Sequence, residues 1–478
     1  MRKKLSRRFR GGDKSVDKRP TSQYVAPHDL AADPANPRAH SREQIRAIAR
    51  SIEAFGFNAP IMVDRNNRIV AGHGRLEAAK LLGLSEVPVV RLEHLTAAQA
   101  RAYMLADNKL TDRSSWDDSK LAVALKELSE IAFDFEIGAT GFEPPEIDLR
   151  IQSLDPPDEI DEADLFDKPT GPAVSRLGDL WRLAGHRLVC GSALDGPAYA
   201  ALMDGATAAA VFTDPPYNVR MKGHAGGKGR VQHREFAMAS GEMSEAAFGR
   251  FLQASFGLMT LHAADEATFF ACMDWRHMGE ATGAIRAAGC EVANLCVWVK
   301  PNGGMGSLYR SRHELVFVFA RRGARRRNNV ELGRHGRNRT NVWNYPGANS
   351  FARQGRARGL DYHPTVKPIA MVADAILDVT RRGDVILDPF CGSGTTILAA
   401  ERTGRRGFGV ELDPLYVDLA IKRWRRMTGG VAVHASGKTF EQVCAERLAE
   451  TALTPADEID VAQFEHKAKR RSRRRASR

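Results

Sequence analysis

The sequence predicts an α/β protein in which a mostly parallel sheet, covered on both faces by helices, stands behind a smaller α/β module. Between about residues 176 and 430, strand-length apolar runs (AAAVFTD, ATFFACM, CEVANLCVWVK, HELVFVFA, GDVILDPF, RGFGVELD) alternate with helical segments such as EAAFGRFLQASFGLM and IAMVADAILDVT. Strands that are apolar on both faces belong to sheets covered on both sides. A shorter alternation occupies residues 23–135, and the stretch from 136 to 175 is rich in proline and acidic residues, the composition of an interdomain linker. A chain of 478 residues is also too long for one core.

The elements of the front module can be read in order. Ile45, Ile48, Ile52 and Phe55 recur at helical spacing, and PIMVDRNNRIVAG reads as a hairpin turning at Asn66-Asn67. RLEAAKLLG is a helix closed by Gly83, VPVVRL is a buried strand, and TAAQARAYMLADNKL is a helix with Thr96 as its N-cap. Behind the linker, LWRLAGHRLVCG reads as a second hairpin. Residues 1–22 are expected to form a disordered basic arm, and residues 431–478 a C-terminal extension with a basic tail.

Composition narrows the function classes. Seventy Lys and Arg against 58 Asp and Glu leave a formal charge of +12, concentrated at both ends and in one internal window, which suits a polyanionic partner. The six cysteines show no CxxC spacing, so neither a zinc site nor a disulfide framework is expected, and a cytoplasmic location fits. No apolar run of about 18 residues occurs and the charged amino terminus has no apolar stretch behind it, so neither a membrane partner nor a signal peptide is expected.

Two boxes carry chemistry. Asp214-Pro215-Pro216-Tyr217 follows the strand AAAVFT directly. A carboxylate and a proline-segment carbonyl at a strand end can accept both hydrogens of a conjugated amino group and localise its lone pair, while an aromatic ring stacks on the base that carries it. Such a base has to leave its duplex to reach a pocket of this kind. The plain alternative is a proline turn after a strand. Asp155-Pro156-Pro157-Asp158 looks similar but has no preceding strand and no aromatic, and is set aside as a decoy.

In the second box, the strand VILD runs into Asp388-Pro389-Phe390-Cys391-Gly392-Ser393-Gly394-Thr395-Thr396 and then a helix. A glycine-bearing turn before a helix lets backbone N–H groups approach a ligand, and no Lys follows the last Gly as a Walker loop would require. The next strand ends in Glu411, about 20 residues on, where a carboxylate can accept from two ribose hydroxyls.

Together these boxes resemble the amino-group DNA methyltransferases over roughly residues 176–430, with a Rossmann-like fold. The resemblance implies that Asp214, Pro215, Pro216 and Tyr217 are catalytic. It further implies that Asp388, Pro389, Phe390, Gly392, Ser393, Gly394, Thr395, Thr396 and Glu411 bind S-adenosyl-L-methionine. His363, Pro364, Thr365 and Lys367 resemble the family's third signature, which lines the methionine part of that cofactor. The order of catalytic box, variable region and cofactor box is that of the β class. Where the family carries an acid near the cofactor's adenine, this chain offers Asp195, which serves equally as a helix N-cap.

Between the boxes, Arg310 to Arg358 holds thirteen Arg against two acids, Glu314 and Glu331. The region from about 301 to 360 falls where the β class reads its target. Arg310, Arg312, Arg334, Arg337, Arg339 and Asn341 are the candidate contacts to double-stranded DNA. Asp at the head of the catalytic box resembles the adenine enzymes, with cytosine N4 as the second choice. A ParB-like regulator with a silent rear domain is the rival of another class, although a silent domain has no reason to retain both boxes and the ribose acid.

The front module resembles ParB-like amino-terminal domains, a fold shared with sulfiredoxin, through Asn36-Pro37-Arg38 and Gly72-His73-Gly74-Arg75. Sulfiredoxin chemistry is excluded because no cysteine precedes Cys190. In partition proteins a Gly-Glu-Arg-Arg turn binds a nucleoside triphosphate. Here His73 and Gly74 replace the acid and the first Arg, and nucleotide binding stays open beside scaffolding or DNA docking. A homodimer also stays open.

Overall fold

The computed structural model describes residues 21–111, 116–131, 135–152, 154, 162–164, 166, 171–218, 241–300, 309–332, 339–345 and 367–453. Two compact units divide between Pro156 and Pro157. In the first, the elements are β1 (Thr21–Val25), α1 (Arg42–Phe55), β2 (Ile61–Val63), β3 (Ile69–Ala71), α2 (His73–Leu81), β4 (Val87–Arg91), α3 (Ala97–Thr111), α4 (Asp118–Glu130) and α5 (Pro144–Gln152). The sheet has the order β1-β4-β2-β3. The β2–β3 hairpin turns where expected, with Asn67 in the left-handed region at φ 60°. Thr96 caps α3 by accepting from the backbone of Gln99, whose side chain accepts in return from the Thr96 backbone, a reciprocal capping box.

Residues 144–152, read from composition as linker, form α5, which packs on α4 through Arg150 bonded to Asp118, the same Arg150 also bonding Glu146 one turn back in α5. The proline pair that suggested a linker instead starts a helix, where a missing N–H costs nothing. The first unit therefore extends past residue 135.

The second unit holds β5 (Leu180–Leu183), β6 (His186–Cys190), α6 (Gly196–Met203), β7 (Ala208–Thr213), α7 (Glu245–Leu261), β8 (Ala263–Met273), α8 (Met278–Ala287), β9 (Cys290–Val299), β10 (His313–Arg321) and β11 (Val342–Asn344). It continues with α9 (Ile369–Val379), β12 (Val385–Asp388), α10 (Thr395–Arg402), β13 (Arg406–Glu411), α11 (Pro414–Thr428), β14 (Ala432–His434) and α12 (Phe440–Leu453). Ten strands form one sheet in the order β11-β9-β10-β8-β7-β12-β13-β6-β5-β14. The five central strands, β8 to β6, are mutually parallel. Antiparallel pairings flank them: β9–β10 and β10–β8 on one side, and β5–β6 and β14–β5 on the other. The mostly parallel α/β class read from the sequence is what folds.

Side-chain alternation explains why the strands are apolar throughout. Val211, Phe269 and Phe317 pack with Phe248 and Phe256 of α7 and Ile285 of α8. Their neighbours Phe212, Phe270 and Val316 pack on the opposite face with Ile376 of α9, Leu398 of α10 and Val417 of α11. The cysteines are free, and all but Cys444 are buried within these layers.

Candidate active site

β7 and β12 are parallel neighbours although more than 170 residues separate them in the chain. From β7 the chain moves outward to β8, and from β12 it moves the other way to β13. Their carboxyl ends therefore flank the point where strand order reverses, the place at which open α/β sheets bind ligands. Asp214 follows the last residue of β7 and Asp388 is the last residue of β12, so the two boxes meet at this crevice.

The catalytic box is held by a charged cluster. Tyr217 donates its hydroxyl to Asp214 Oδ1 at 2.6 Å, and Lys367 donates from Nζ to Asp214 Oδ2 at 2.5 Å. Lys367 also lies 3.0 Å from Glu314 Oε2, and Lys300 pairs with the other oxygen of Glu314. Both ammonium groups lie against the ring of Trp298, at 4.6 Å for Lys300 and 5.8 Å for Lys367. Burial raises the Asp214 carboxyl above the ordinary value, with the Lys367 ammonium opposing that rise. Burial works against ionising Glu314 as well, but Lys367 and Lys300 outweigh it and hold that carboxyl at about 2. Asn218, left-handed at φ 54°, fixes the exit of the box by bonding the backbone of Gly241 and Met243.

The cofactor box is arranged differently. Asp388 accepts from the Thr396 hydroxyl at 2.6 Å and from the Phe390 backbone at 3.1 Å. Glu411 accepts from the backbone of Gly392 at 2.7 Å and of Asp413 at 2.8 Å. Burial raises both carboxyls to about 7, and among the described residues neither pairs with a Lys or Arg. Gly394 turns at φ +85°, and a Cβ there would lie 2.7 Å from Ala420 Cβ, so only glycine lets α10 start this close to α11. Arg423 of α11 fixes the turn by donating to Ser393 O and Oγ at 2.7 and 2.8 Å and lies 3.4 Å from Thr395 Oγ1. Phe390 lies 5.8 Å from Phe251, ring to ring.

Several candidate residues occupy positions that the sequence could not specify. Lys367, assigned by resemblance to the methionine part of a cofactor, has its ammonium on Asp214. Asp195 precedes α6 in the N-cap position without a side-chain cap bond and is exposed, on the loop after β6, which pairs with β13 at Glu411. Arg310 and Arg312 are exposed just before Glu314, at the end of β10 that lies beside the carboxyl end of β8. Arg339 instead turns into the domain: its guanidinium bridges Asp374 and Asp378 of α9 at 2.8 Å each and lies over Trp343. Asn341 donates to the Leu295 carbonyl at 3.1 Å. Arg334, Arg337, His363, Pro364 and Thr365 lie outside the described residues. Glu314, Lys300 and Trp298 were missed by sequence reasoning, and for Glu314 the signal was present: it is one of two acids in the arginine-rich stretch and sits at a strand start.

In the front unit, Gly72 at φ +104° opens α2, and a Cβ on Gly74 would meet Ile48 Cδ1 at 3.0 Å and the His40 ring at 3.2 Å, which explains the glycine there. His73 accepts from the Asp33 backbone at 3.3 Å, and burial lowers its pKa. Arg75 is largely enclosed, with its Nε buried and lacking a hydrogen-bond partner among the described residues.

Known proteins are similar to this chain in three separate stretches. The DNA methylase family model matches residues 208–422, spanning both boxes and Glu411, and the ParB amino-terminal domain model matches residues 13–109. Residues 208–422 thus match the DNA methylase family, and a ParB-like domain precedes them in the chain. A model for the ParB-methyltransferase helix-turn-helix domain matches residues 119–177, which include α4 and α5. The ParB-like nuclease domain-containing protein YnaK of Escherichia coli (strain K12) is 44% identical over 76 residues, covering 16% of this chain and 87% of that protein. The type II methyltransferase M2.DpnII of Streptococcus pneumoniae is 32% identical over 148 residues, or 29% of the methylase described here. The match spans about half of that relative, 53% of its length. The solved PvuII DNA methyltransferase, described as cytosine-N4-specific, is 15% identical over 55% of this chain and 91% of its own, with a TM-score of 0.38. Among the described residues of the methylase, no helix is long and apolar enough to cross a membrane.

Proposed function

We propose that this methylase transfers a methyl group from S-adenosyl-L-methionine to the N6 amino group of adenine in double-stranded DNA. The observation that carries the reading is the meeting of Asp214 with the Asp388 and Glu411 turn at one crevice. A carboxylate that can accept from an amine thus stands beside carboxylates suited to hydroxyls. The donor set fits the cofactor: Glu411 is a half-buried acid that, among the described residues, accepts from backbone N–H groups, which leaves lone pairs for ribose hydroxyls. When bound, the cofactor supplies an electrophilic methyl on a sulfonium. Asp214 accepts from the target amine, Pro215 or Pro216 provides a carbonyl for its second hydrogen, and the Tyr217 ring forms the wall against which an extruded base stacks.

Asp at the head of the box favours adenine over cytosine N4. Arg310 and Arg312, exposed beside the site, suit DNA phosphate. The test is expression in a host without adenine methylation, followed by single-molecule sequencing of its genomic DNA. Methyladenine confined to one motif is the expected result. N4-methylcytosine would replace adenine as the target, and unmodified DNA in cells holding folded protein would overturn the reading.

A further inference from the structure

Both oxygens of Asp214 already hold donors, Tyr217 on Oδ1 and Lys367 on Oδ2. Under the methyl-transfer reading, on which this inference rests, an incoming amino group needs that same carboxylate. Lys367 Nζ is itself a nitrogen bearing hydrogens, so it stands where the target amine would donate. An ammonium bound directly to Asp214 also neutralises the charge that would draw the amine's hydrogens and sharpen its lone pair. Lys367 is 5% exposed, so water cannot take it over.

Glu314 offers Lys367 another partner. It comes from β10, outside either box, and its Oε2 is 3.0 Å from Lys367 Nζ and 3.2 Å from the Tyr217 hydroxyl. Its other oxygen is bound to Lys300. Two carboxylates and two ammonium groups therefore form a neutral cluster in which Lys367 can lean toward either acid without stranding a buried charge. We propose that Glu314 is a positioning residue for methyl transfer: it draws Lys367 away from Asp214 when the base enters, freeing the carboxylate for the target amine. Lys367 thus rests on Asp214, and Glu314 receives it when the base enters. Trp298, against which both ammonium groups lie, keeps the exchange within one small volume.

The test measures methyl transfer and cofactor binding on the full chain. Without its second acid, Lys367 stays on Asp214, so Glu314→Gln should lower kcat on the order of 10- to 100-fold. KM for DNA and Kd for S-adenosyl-L-methionine by calorimetry should stay within about twofold. Glu314→Asp keeps the charge at shorter reach and should fall between. The decisive variant is the pair Glu314→Gln with Lys367→Met, which removes the occupant as well and should recover about tenfold over Glu314→Gln alone. A folded Glu314→Gln protein with wild-type kcat overturns the proposal, as does a double variant no faster than the single one. If Glu314→Gln does not fold, Glu314→Asp reads the same split, and a loss confined to KM overturns the proposal. Wild-type protein that binds cofactor but methylates no DNA overturns the methyl-transfer reading itself, a result distinct from the others.

Discussion

The two halves of the crevice treat buried charge in opposite ways. At the catalytic box, two acids are balanced by two ammonium groups, so the charges are compensated before any ligand arrives. At the cofactor turn, Asp388 and Glu411 are held, among the described residues, by hydroxyl and backbone N–H donors, and burial lifts both to about 7. Of the compensated pair, Glu314 is held at about 2, while burial still lifts Asp214 above its ordinary value against the pull of Lys367, which must be released for Asp214 to act. An uncompensated carboxylate waits for hydroxyl donors and responds to pH. The first arrangement suits a residue that takes part in a step, and the second a residue that takes part in binding.

The largest effect that would test this contrast is at Asp214. Asp214→Ala should lower kcat by roughly a thousandfold or more while leaving cofactor affinity within about threefold, because the turn on β12 and β13 holds itself together. Equal losses in both quantities would mean that the two halves are one unit. Glu411→Ala should show the reverse, weakening S-adenosyl-L-methionine binding by on the order of 30- to 100-fold through lost hydroxyl bonds, as measured by calorimetry. A smaller loss than at Asp388→Asn would shift the ribose contact to the other acid.

Arg339 extends the comparison to a compensated charge that lies away from the crevice. Arg339→Met should lower stability to urea by roughly 2–3 kcal/mol, since it removes the half-buried cation that bridges Asp374 and Asp378 of α9. It should leave the salt dependence of DNA binding unchanged, whereas Arg312→Ala should reduce that slope by about one phosphate contact. A changed slope in Arg339→Met would return that residue to the DNA surface.

The smallest effect is that of pH. Glu411 is raised to about 7 from 4.5, so near neutrality part of the protein carries it protonated, and a protonated carboxyl accepts poorly from hydroxyls. Cofactor affinity should therefore rise a few-fold from about pH 6 to 8 and level off above, with the rise lost in Glu411→Gln. The folded state holds this proton, and that of Asp388, longer than the unfolded chain does. The ligand-free protein should accordingly lose stability as pH climbs from the ordinary carboxylate range toward 7, the opposite slope to binding. Parallel slopes would show that other groups control the site.

The parallel sheet was legible because its strands are apolar on both faces, and both boxes were legible because each sits at a strand end, where local sequence sets the turn. The extent of the front unit was not. Prolines and acids at 144–152 carry the composition of a linker, and only packing against α4 reveals them as a helix. Arg339 was likewise indistinguishable from its neighbours, because a run of arginines does not say which one turns inward.

By itself, the sequence determined the class of fold, the two boxes, the acid that follows the second, and the ParB-like turn. These are short-range patterns, written within one strand and its following turn. The tertiary structure alone decided that β7 and β12 lie side by side, that Lys367 rests on Asp214, and that Glu314 and Lys300 complete the cluster. The physical reason is that charge compensation in a buried site depends on distance through space, and the four partners come from β7, β9, β10 and the approach to α9, which only the sheet order brings together.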